Sequence, residues 1–313
     1  GPKWCGSSRT AANSTVTITN STFSGNTSTS TAVNGFGFAA GLGIESTTGF
    51  TLIISGSTFA NNTGVGNGTG GSNGNGIRLL PTNTSVANIT NSTFSGNSGT
   101  GGSAIQGSGI QAFTSGAGTL TGTWNGLTVS GNSGTANGGV AFVATGGGLN
   151  LTIANSTISG NTATGGAGGV LVSNAGATSG AASTINFVNS TISGNTANGN
   201  GGGMLVEQPA ATGTMTVNCN FCTVANNRAN NDNSGTESGG GIFRSTAGTV
   251  NVKNSLIGDN TVGTGGTGPD VSGAINSQDY NHIEDTSGAT IGGTTTNNTT
   301  GDAQLGPLAS NGG

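Results

Sequence analysis

The seven-residue stretch NSTFSGN occupies residues 20–26 and recurs unchanged at 91–97. A close variant, NSTISGN, occupies residues 155–161 and 189–195, and four looser copies bring the total to eight. Aligned on their final Asn, the copies recur every 29 to 36 residues. A period in this range is typical of solenoids, propellers and other arrays. The repeat therefore predicts one of these repeat folds, whatever the role of any single residue.

The final Asn of the stretch is present in every copy. In a stacked repeat each residue lies against its own equivalent in the next coil, so a side chain that fits one coil fits them all. Stacked amides can hydrogen-bond up and down the stack. We predict an internal Asn ladder at a bend of each coil, formed by Asn26, Asn62, Asn97, Asn132, Asn161, Asn195, Asn227 and Asn260.

Apolar residues accompany each Asn at fixed distances. All copies have one three residues before it and another eight residues before it, and segments such as Val16-Thr17-Ile18 alternate apolar and polar residues. This alternation indicates strands. A third apolar segment follows each Asn after a stretch of variable length, starting at Gly43-Ile44 in the first copy and at Gly203-Met204 in the sixth. Each repeat is thus predicted to hold three short strands joined by Gly, Asn and Ser turns.

These observations predict an all-β fold, a right-handed parallel β-helix (solenoid) of about nine coils with three short strands per coil. Residues 1–268 are assigned to the repetitive coils and residues 269–313 to irregular C-terminal coils of the same solenoid. The glycines are expected to take positive φ at corners. A propeller, with four strands per blade of roughly 40 residues, is the alternative.

The composition excludes some classes of function. The net charge is −4, charged residues make up 5% of the chain, and the six basic residues are scattered. Nucleic-acid binding needs clustered Lys and Arg, so no nucleic-acid partner is expected. No apolar run approaches the roughly 18 residues of a membrane helix, so no membrane span is expected.

The sequence offers little for catalysis. The ten acidic residues share no column of the repeat; Asp232 and Glu237 lie in one loop, and Asp259 takes a glycine position. β-Helix enzymes that act on polysaccharides need grouped carboxylates. The single His, His282, is expected to be structural, with Tyr280 and Ile283 packing inward. We therefore predict no catalytic, cofactor-binding or metal-binding residues, and a carbohydrate-active enzyme is the alternative.

Two cysteines form the short motif C-N-F-C. As half of a zinc site, Cys219 and Cys222 lack a second pair, so a metal is not expected. Cys219 occupies an inward apolar column, which favours a buried thiol. A local disulfide between Cys219 and Cys222 is the other option.

A column of threonines lies beside the inward Phe and Ile column. Thr is a good strand residue and stacks well on itself, which alone can explain the column. If the hydroxyls face outward, they form a flat surface suited to ice, to a glycan or to another β-helix. The column consists of Thr22, Thr58, Thr93, Thr128, Thr157, Thr191 and Thr223.

These motifs carry a family resemblance. N-S-T-[FI]-S-G-N followed by G-G-[IVM] resembles the repeats of large secreted bacterial right-handed β-helix proteins, of the polymorphic outer-membrane-protein and autotransporter-passenger type. The stretches GPDVSG (268–273), DYNHIEDTSGATIGG (279–293) and LGPLASNGG (305–313) resemble the closing coils of such surface proteins. The resemblance implies an extracellular or cell-surface location.

Most proteins of this kind are adhesins, surface-layer proteins or structural proteins. The resemblance therefore implies a non-enzymatic structural or adhesive role, with surface glycans as one class of partner. The chain also starts and stops within the repeat without an obvious polar cap, and open solenoid ends expose strand edges. We accordingly expect end-to-end self-association, in its fullest form as a head-to-tail filament.

Overall fold

The structure is a computed structural model that describes residues 6–9, 14–31, 37–67, 71–101, 107–175, 181–209, 213–245 and 247–306. Its strands are short, and every pairing between them is parallel. Each strand pairs with its equivalent one repeat away, as Thr93 does with Thr58 and Thr128. The predicted parallel β-helix is therefore confirmed.

The strands of each coil contribute in turn to four sheets, which we call A, B, C and D. Sheet A contains Gly6–Arg9, Leu42–Ser46, Ile77–Pro81, Ile110–Thr114, Val140–Ala144, Val170–Asn174, Met204–Glu207, Ile242–Arg244 and the start of Val271–Gln278. Sheet B contains Ser14–Thr19, Phe50–Ser55, Ser85–Thr90, Leu120–Asn125, Leu149–Ala154, Ala182–Val188, Thr214–Asn220, Thr249–Lys253, the rest of Val271–Gln278 and Ala289–Thr294.

The other two sheets flank the bend that carries the Asn column. Sheet C contains Thr22–Ser24, Thr58–Ala60, Thr93–Ser95, Thr128–Ser130, Thr157–Ser159, Thr191–Ser193, Thr223–Ala225, Leu256–Gly258 and His282–Ile283. Sheet D contains Thr27–Thr29, Thr63–Val65, Ser98–Thr100, Ser133–Gly134, Thr162–Ala163, Thr196–Ala197, Arg228–Ala229 and Thr261–Val262. A small pair, Gly37–Phe38 with Ser72–Asn73, lies outside these sheets.

Two details of the expected fold are corrected. Each complete coil has four strands rather than three, because it also contributes a strand to sheet D, which the sequence did not predict. Its inward positions hold small residues such as Gly64, Gly99 and Ala163, which produce no apolar alternation. The solenoid also has about seven turns rather than nine, with partial turns beyond the first and last ladder Asn.

The core is one narrow apolar cluster that runs along the solenoid axis. Its columns stack like on like: the rings of Phe23, Phe59 and Phe94 are parallel, with centroids 4.8 and 5.0 Å apart. This is the spacing of neighbouring strands in a sheet. Trp124 is buried in the same core, as its column predicts.

The Asn ladder lies inside the bend between sheets C and D. The Asn97 side chain is fully buried, and both its backbone N–H and its Nδ2 donate to Asn132 Oδ1 at 2.9 Å. Its Nδ2 also donates to the carbonyl oxygen of Phe59 at 3.0 Å, and its Oδ1 accepts from Asn62. The bonds between neighbouring Asn repeat from Asn26 to Asn260, and those to a backbone carbonyl from Asn62 to Asn260, so no ladder residue has a buried amide atom without a partner.

The ladder explains the glycine that immediately precedes seven strands of sheet A, at Gly41, Gly76, Gly109, Gly139, Gly169, Gly203 and Gly241. A Cβ on Gly203 would lie 2.6 Å from the Gly241 carbonyl oxygen and 2.9 Å from Asn227 Nδ2, so no side chain fits there. These glycines make room for the ladder and do not take positive φ, whereas glycines of the NSTFSGN stretch such as Gly25 do, at φ 63°. In the first copy Leu42, not Ile44, pairs with Ile77, so the register assigned to Gly43-Ile44 was wrong by two residues.

The ladder ends at a carboxylate. Asp270 Oδ1 accepts from Asn260 Nδ2 at 2.8 Å, and its Oδ2 accepts from the Asp285 N–H at 2.8 Å. Asp270 is 1% exposed, and burial raises the pKa of its carboxyl. Both carboxyl oxygens of Asp270 act as acceptors, and no ladder amide lies beyond them, so the series of donors and acceptors closes here. The ladder thus has a polar cap, which the sequence did not show.

Candidate functional site: the outer face of sheets B and C

The Thr column faces outward and is in register. Successive threonines pair directly across sheet C, from Thr22 with Thr58 to Thr191 with Thr223. Thr22 and Thr128 are exposed and the other five are half-buried, while the residues that follow them point into the core. Neighbouring strands are about 4.8 Å apart, so the hydroxyls form an evenly spaced row.

The surface around this row carries almost no charge. Lys253 is the only Asp, Glu, Lys or Arg in the strands of sheet B given above, and the strands of sheet C contain none of these residues. Outward positions in both sheets are mainly Thr, Ser and Asn. Such a face can form many directional hydrogen bonds but does not attract a charged partner from a distance.

Sheet B has an ordered amide row on its outer face that sequence reasoning missed. Asn276 Nδ2 donates to Asn251 Oδ1 at 2.8 Å, Asn251 Nδ2 to Asn218 Oδ1 at 2.7 Å, and Asn218 Nδ2 to Asn186 Oδ1 at 2.8 Å. These half-buried side chains form a second, outer ladder. The signal was an Asn one residue before the inward column in four successive coils at the C-terminal end.

His282 is fixed in place on sheet C. Its Nδ1 lies 2.8 Å from Thr299 Oγ1 and its Nε2 lies 2.9 Å from the Gly301 carbonyl oxygen. A carbonyl can only accept, so Nε2 carries the proton and, in the neutral ring, Nδ1 accepts from the Thr299 hydroxyl. Ile283 packs inward as expected, but Tyr280 does not: it is 63% exposed because it lies at the corner before the strand.

Three carboxylates meet near the C-terminal end of the solenoid. Oxygen atoms of Asp259, Glu284 and Asp302 all lie within 4.8 Å of one another. Glu284 Oε2 accepts from the Asp259 N–H at 2.8 Å, and Asp302 Oδ1 accepts from the Gln304 N–H at 2.8 Å. A Ca²⁺ ion takes six to eight oxygen ligands, and hydrogen bonds already occupy part of this set. The residues come from three separate segments, so no motif could have brought them together.

Cys219 and Cys222 are free, buried thiols, which is the option that the inward column favoured; the other option, a local disulfide, is not formed. Cys222 takes the place of an inward Ser, and its Sγ donates to the Phe187 carbonyl oxygen at 3.5 Å. A hydrogen bond with the Cys222 thiol, together with burial, raises the pKa of Cys219 well above its usual value. The buried Cys219 thiol is therefore a poor nucleophile.

None of the residues that the structure describes forms a helix long and apolar enough to cross a membrane. Comparisons of the chain with protein-family models, with curated proteins and with solved structures found no match. The fold and the geometry of the surface therefore carry the functional argument.

Proposed function

We propose that the protein is a non-enzymatic structural or adhesive β-helix that acts outside the cell or at its surface. The observation that supports this most is the outer face of sheets B and C, an uncharged surface of registered Thr, Ser and Asn columns along the solenoid. Such a face suits broad, repeated contact better than recognition of one small molecule. The resemblance of the repeat sequence to those of secreted β-helix proteins supports the same location.

End-to-end association is the finer form of this proposal. Asp270 closes the Asn ladder, so two copies cannot join at that end by continuing the ladder; they would have to pair strand edges. Sedimentation analysis and negative-stain electron microscopy test this directly. Fibres a few nanometres wide would support a filament subunit, and short rods at high protein concentration would argue against it.

The Thr column favours a second candidate, binding of ice or glycan through sheet C. The evenly spaced hydroxyls are what a flat, repeating partner needs, and Tyr at two of these positions would break the plane. Thr93→Tyr and Thr157→Tyr should then abolish thermal hysteresis in the protein. Wild-type protein without hysteresis would dismiss ice as the partner.

The carboxylate cluster is the feature that an enzyme would use. The test is incubation with acidic and neutral polysaccharides, followed by ultraviolet absorbance for unsaturated products and by assay of new reducing ends. We expect no cleavage by the wild-type protein. Turnover that Glu284→Gln abolishes would overturn the non-enzymatic proposal.

A further inference from the structure

The corner between sheets B and C changes character in the last coils. This corner recurs nine times, and each time one residue takes a left-handed conformation; at the first six corners it is Asn or Gly, at positions Asn20, Gly56, Asn91, Gly126, Asn155 and Asn189. At the last three corners the residues are Phe221, Asn254 and Tyr280, with φ of 55°, 49° and 56°. Asn and Gly tolerate this conformation, whereas bulky residues rarely adopt it.

Burial does not offset this backbone strain. Phe221 is 57% exposed and Tyr280 is 63% exposed; the other large apolar side chain with comparable exposure in the described part of the chain is Ile53, at 39%. Two exposed rings therefore occupy positions where Asn would cost less and would not place apolar surface in water. Strain of this kind tends to persist at functional sites.

The two rings border one groove, which we call the corner groove. It is a cavity of about 420 Å³ that Phe221, Leu256 and Tyr280 line with apolar surface and Thr223, Asn254 and Asn297 line with polar groups. Leu256 and His282 here replace the Thr of the neighbouring column, so two columns depart from the repeat at one place. In a repeat protein, a local departure from the pattern is where function is expected.

The corner groove is lined by no Asp, Glu, Lys or Arg, and some of its polar groups have no hydrogen-bond partner in the described part of the chain. Asn254 Nδ2 donates to Asn220 Oδ1 at 3.3 Å, while within the described residues neither Asn254 Oδ1 nor the Thr223 hydroxyl has a hydrogen-bond partner. The nearby carboxylate of Asp279 is occupied, since it accepts from the backbone and the side chain of Asn297, both at 2.7 Å. The lining residues include no Asp, Glu, Lys or Arg, and both ring nitrogens of His282 already have partners, so the groove offers a charged ligand no carboxylate, ammonium or guanidinium to pair with.

We propose that the corner groove binds a neutral saccharide. The apolar C–H face of a pyranose packs on an aromatic ring, and its hydroxyls exchange hydrogen bonds with amides and hydroxyls. Successive strands are about 4.8 Å apart, so Phe221 and Tyr280, two coils apart, bracket Asn254 over about 10 Å. This site goes beyond the structural or adhesive role, which would hold without it.

The test is an array of neutral hexasaccharides of glucose, mannose, galactose and N-acetylglucosamine. It compares wild-type protein with Phe221→Asn, Tyr280→Asn and the control Ile53→Asn, which removes an exposed apolar side chain elsewhere. Asn is the residue that this corner uses in other coils, so both groove variants should fold and melt at the same or a higher temperature. We expect each to weaken binding at least ten-fold and the control to leave it unchanged.

An NMR titration tests whether the ligand binds at the corner groove. Tyr280 is the only tyrosine of the chain, so ¹³C-tyrosine labelling gives a single ring signal. Titration with the hexasaccharide that binds best should shift this signal in wild-type protein and in Ile53→Asn. The proposal fails if no neutral hexasaccharide binds, if binding survives both groove variants, or if the tyrosine signal does not move at saturation.

Discussion

At the scale of single residues, the ladder Asn does what no aliphatic residue can do. It fills an inward bend and also supplies the hydrogen bonds that the backbone of the bend lacks. Asn161, for example, accepts twice from Asn132 and donates to both Asn195 Oδ1 and the Val129 carbonyl oxygen. The sequence was sufficient to predict this role, because eight identical residues at one register leave little other explanation.

Replacing one ladder Asn should therefore be costly. Asn161→Leu leaves two buried donors of Asn132 without an acceptor, and we expect it to lower the free energy of unfolding by about 2–5 kcal/mol. The matched control is Asn218→Leu in the outer ladder, where water can replace the lost bonds and the loss should be under about 1 kcal/mol. Urea unfolding measures both. Equal losses would show that the two ladders are not distinguished by burial.

The Asp270 cap predicts a dependence on pH. Burial raises the pKa of this carboxyl, with the charge of Glu284 adding to the effect and hydrogen bonds from Asn260 and Asp285 opposing it. A raised pKa in the folded state means that the contribution of Asp270 to stability is full below its unfolded pKa of about 4 and decreases as pH rises through its folded pKa.

The measurement is urea unfolding of wild-type protein and Asp270→Asn from pH 3 to pH 8. The free-energy difference in favour of the wild-type protein should be largest at the acid end and should shrink as the pH rises. A difference that grows with pH would mean that the hydrogen bonds, not burial, control this carboxyl.

At the scale of elements, the glycine that precedes seven of the sheet A strands and the ladder Asn form a matched pair. The amide lies over the glycine, and the next coil's backbone lies against it. The sequence showed that this glycine recurs, but it suggested positive φ as the reason. Close approach of the backbone can be seen only when the coils are stacked.

Adding one methyl group tests this pairing. Gly203→Ala would place a Cβ 2.6 Å from the Gly241 carbonyl oxygen, and we expect a loss of about 1–3 kcal/mol in the free energy of unfolding. The control is Gly292→Ala, where the nearest atom, the Ile275 carbonyl oxygen, is 3.8 Å away and φ lies outside the left-handed range. That variant should change stability little. Thermal melting of the two proteins distinguishes them.

At the scale of the whole molecule, the sequence was most informative where the repeat is strict. Strands of sheets A, B and C and the core columns follow from apolar alternation, whereas sheet D has short strands with small inward residues and left no such signal. The carboxylate cluster joins three distant segments and was invisible for that reason. The corner groove could have been found, because Phe221 and Tyr280 replace Asn in an otherwise regular column.

Like positions stack linearly along one axis, and distances between spin labels measure this stacking. Pairs of cysteines at Thr22 with Thr191, Thr22 with Thr223 and Thr22 with Leu256, in a background where the native cysteines are replaced by Ser, carry the labels. The stack predicts separations that grow by about 4.8 Å per coil, to about 24, 29 and 34 Å. Distances that level off or shorten as the sequence separation increases would indicate a closed ring such as a propeller and would contradict the solenoid.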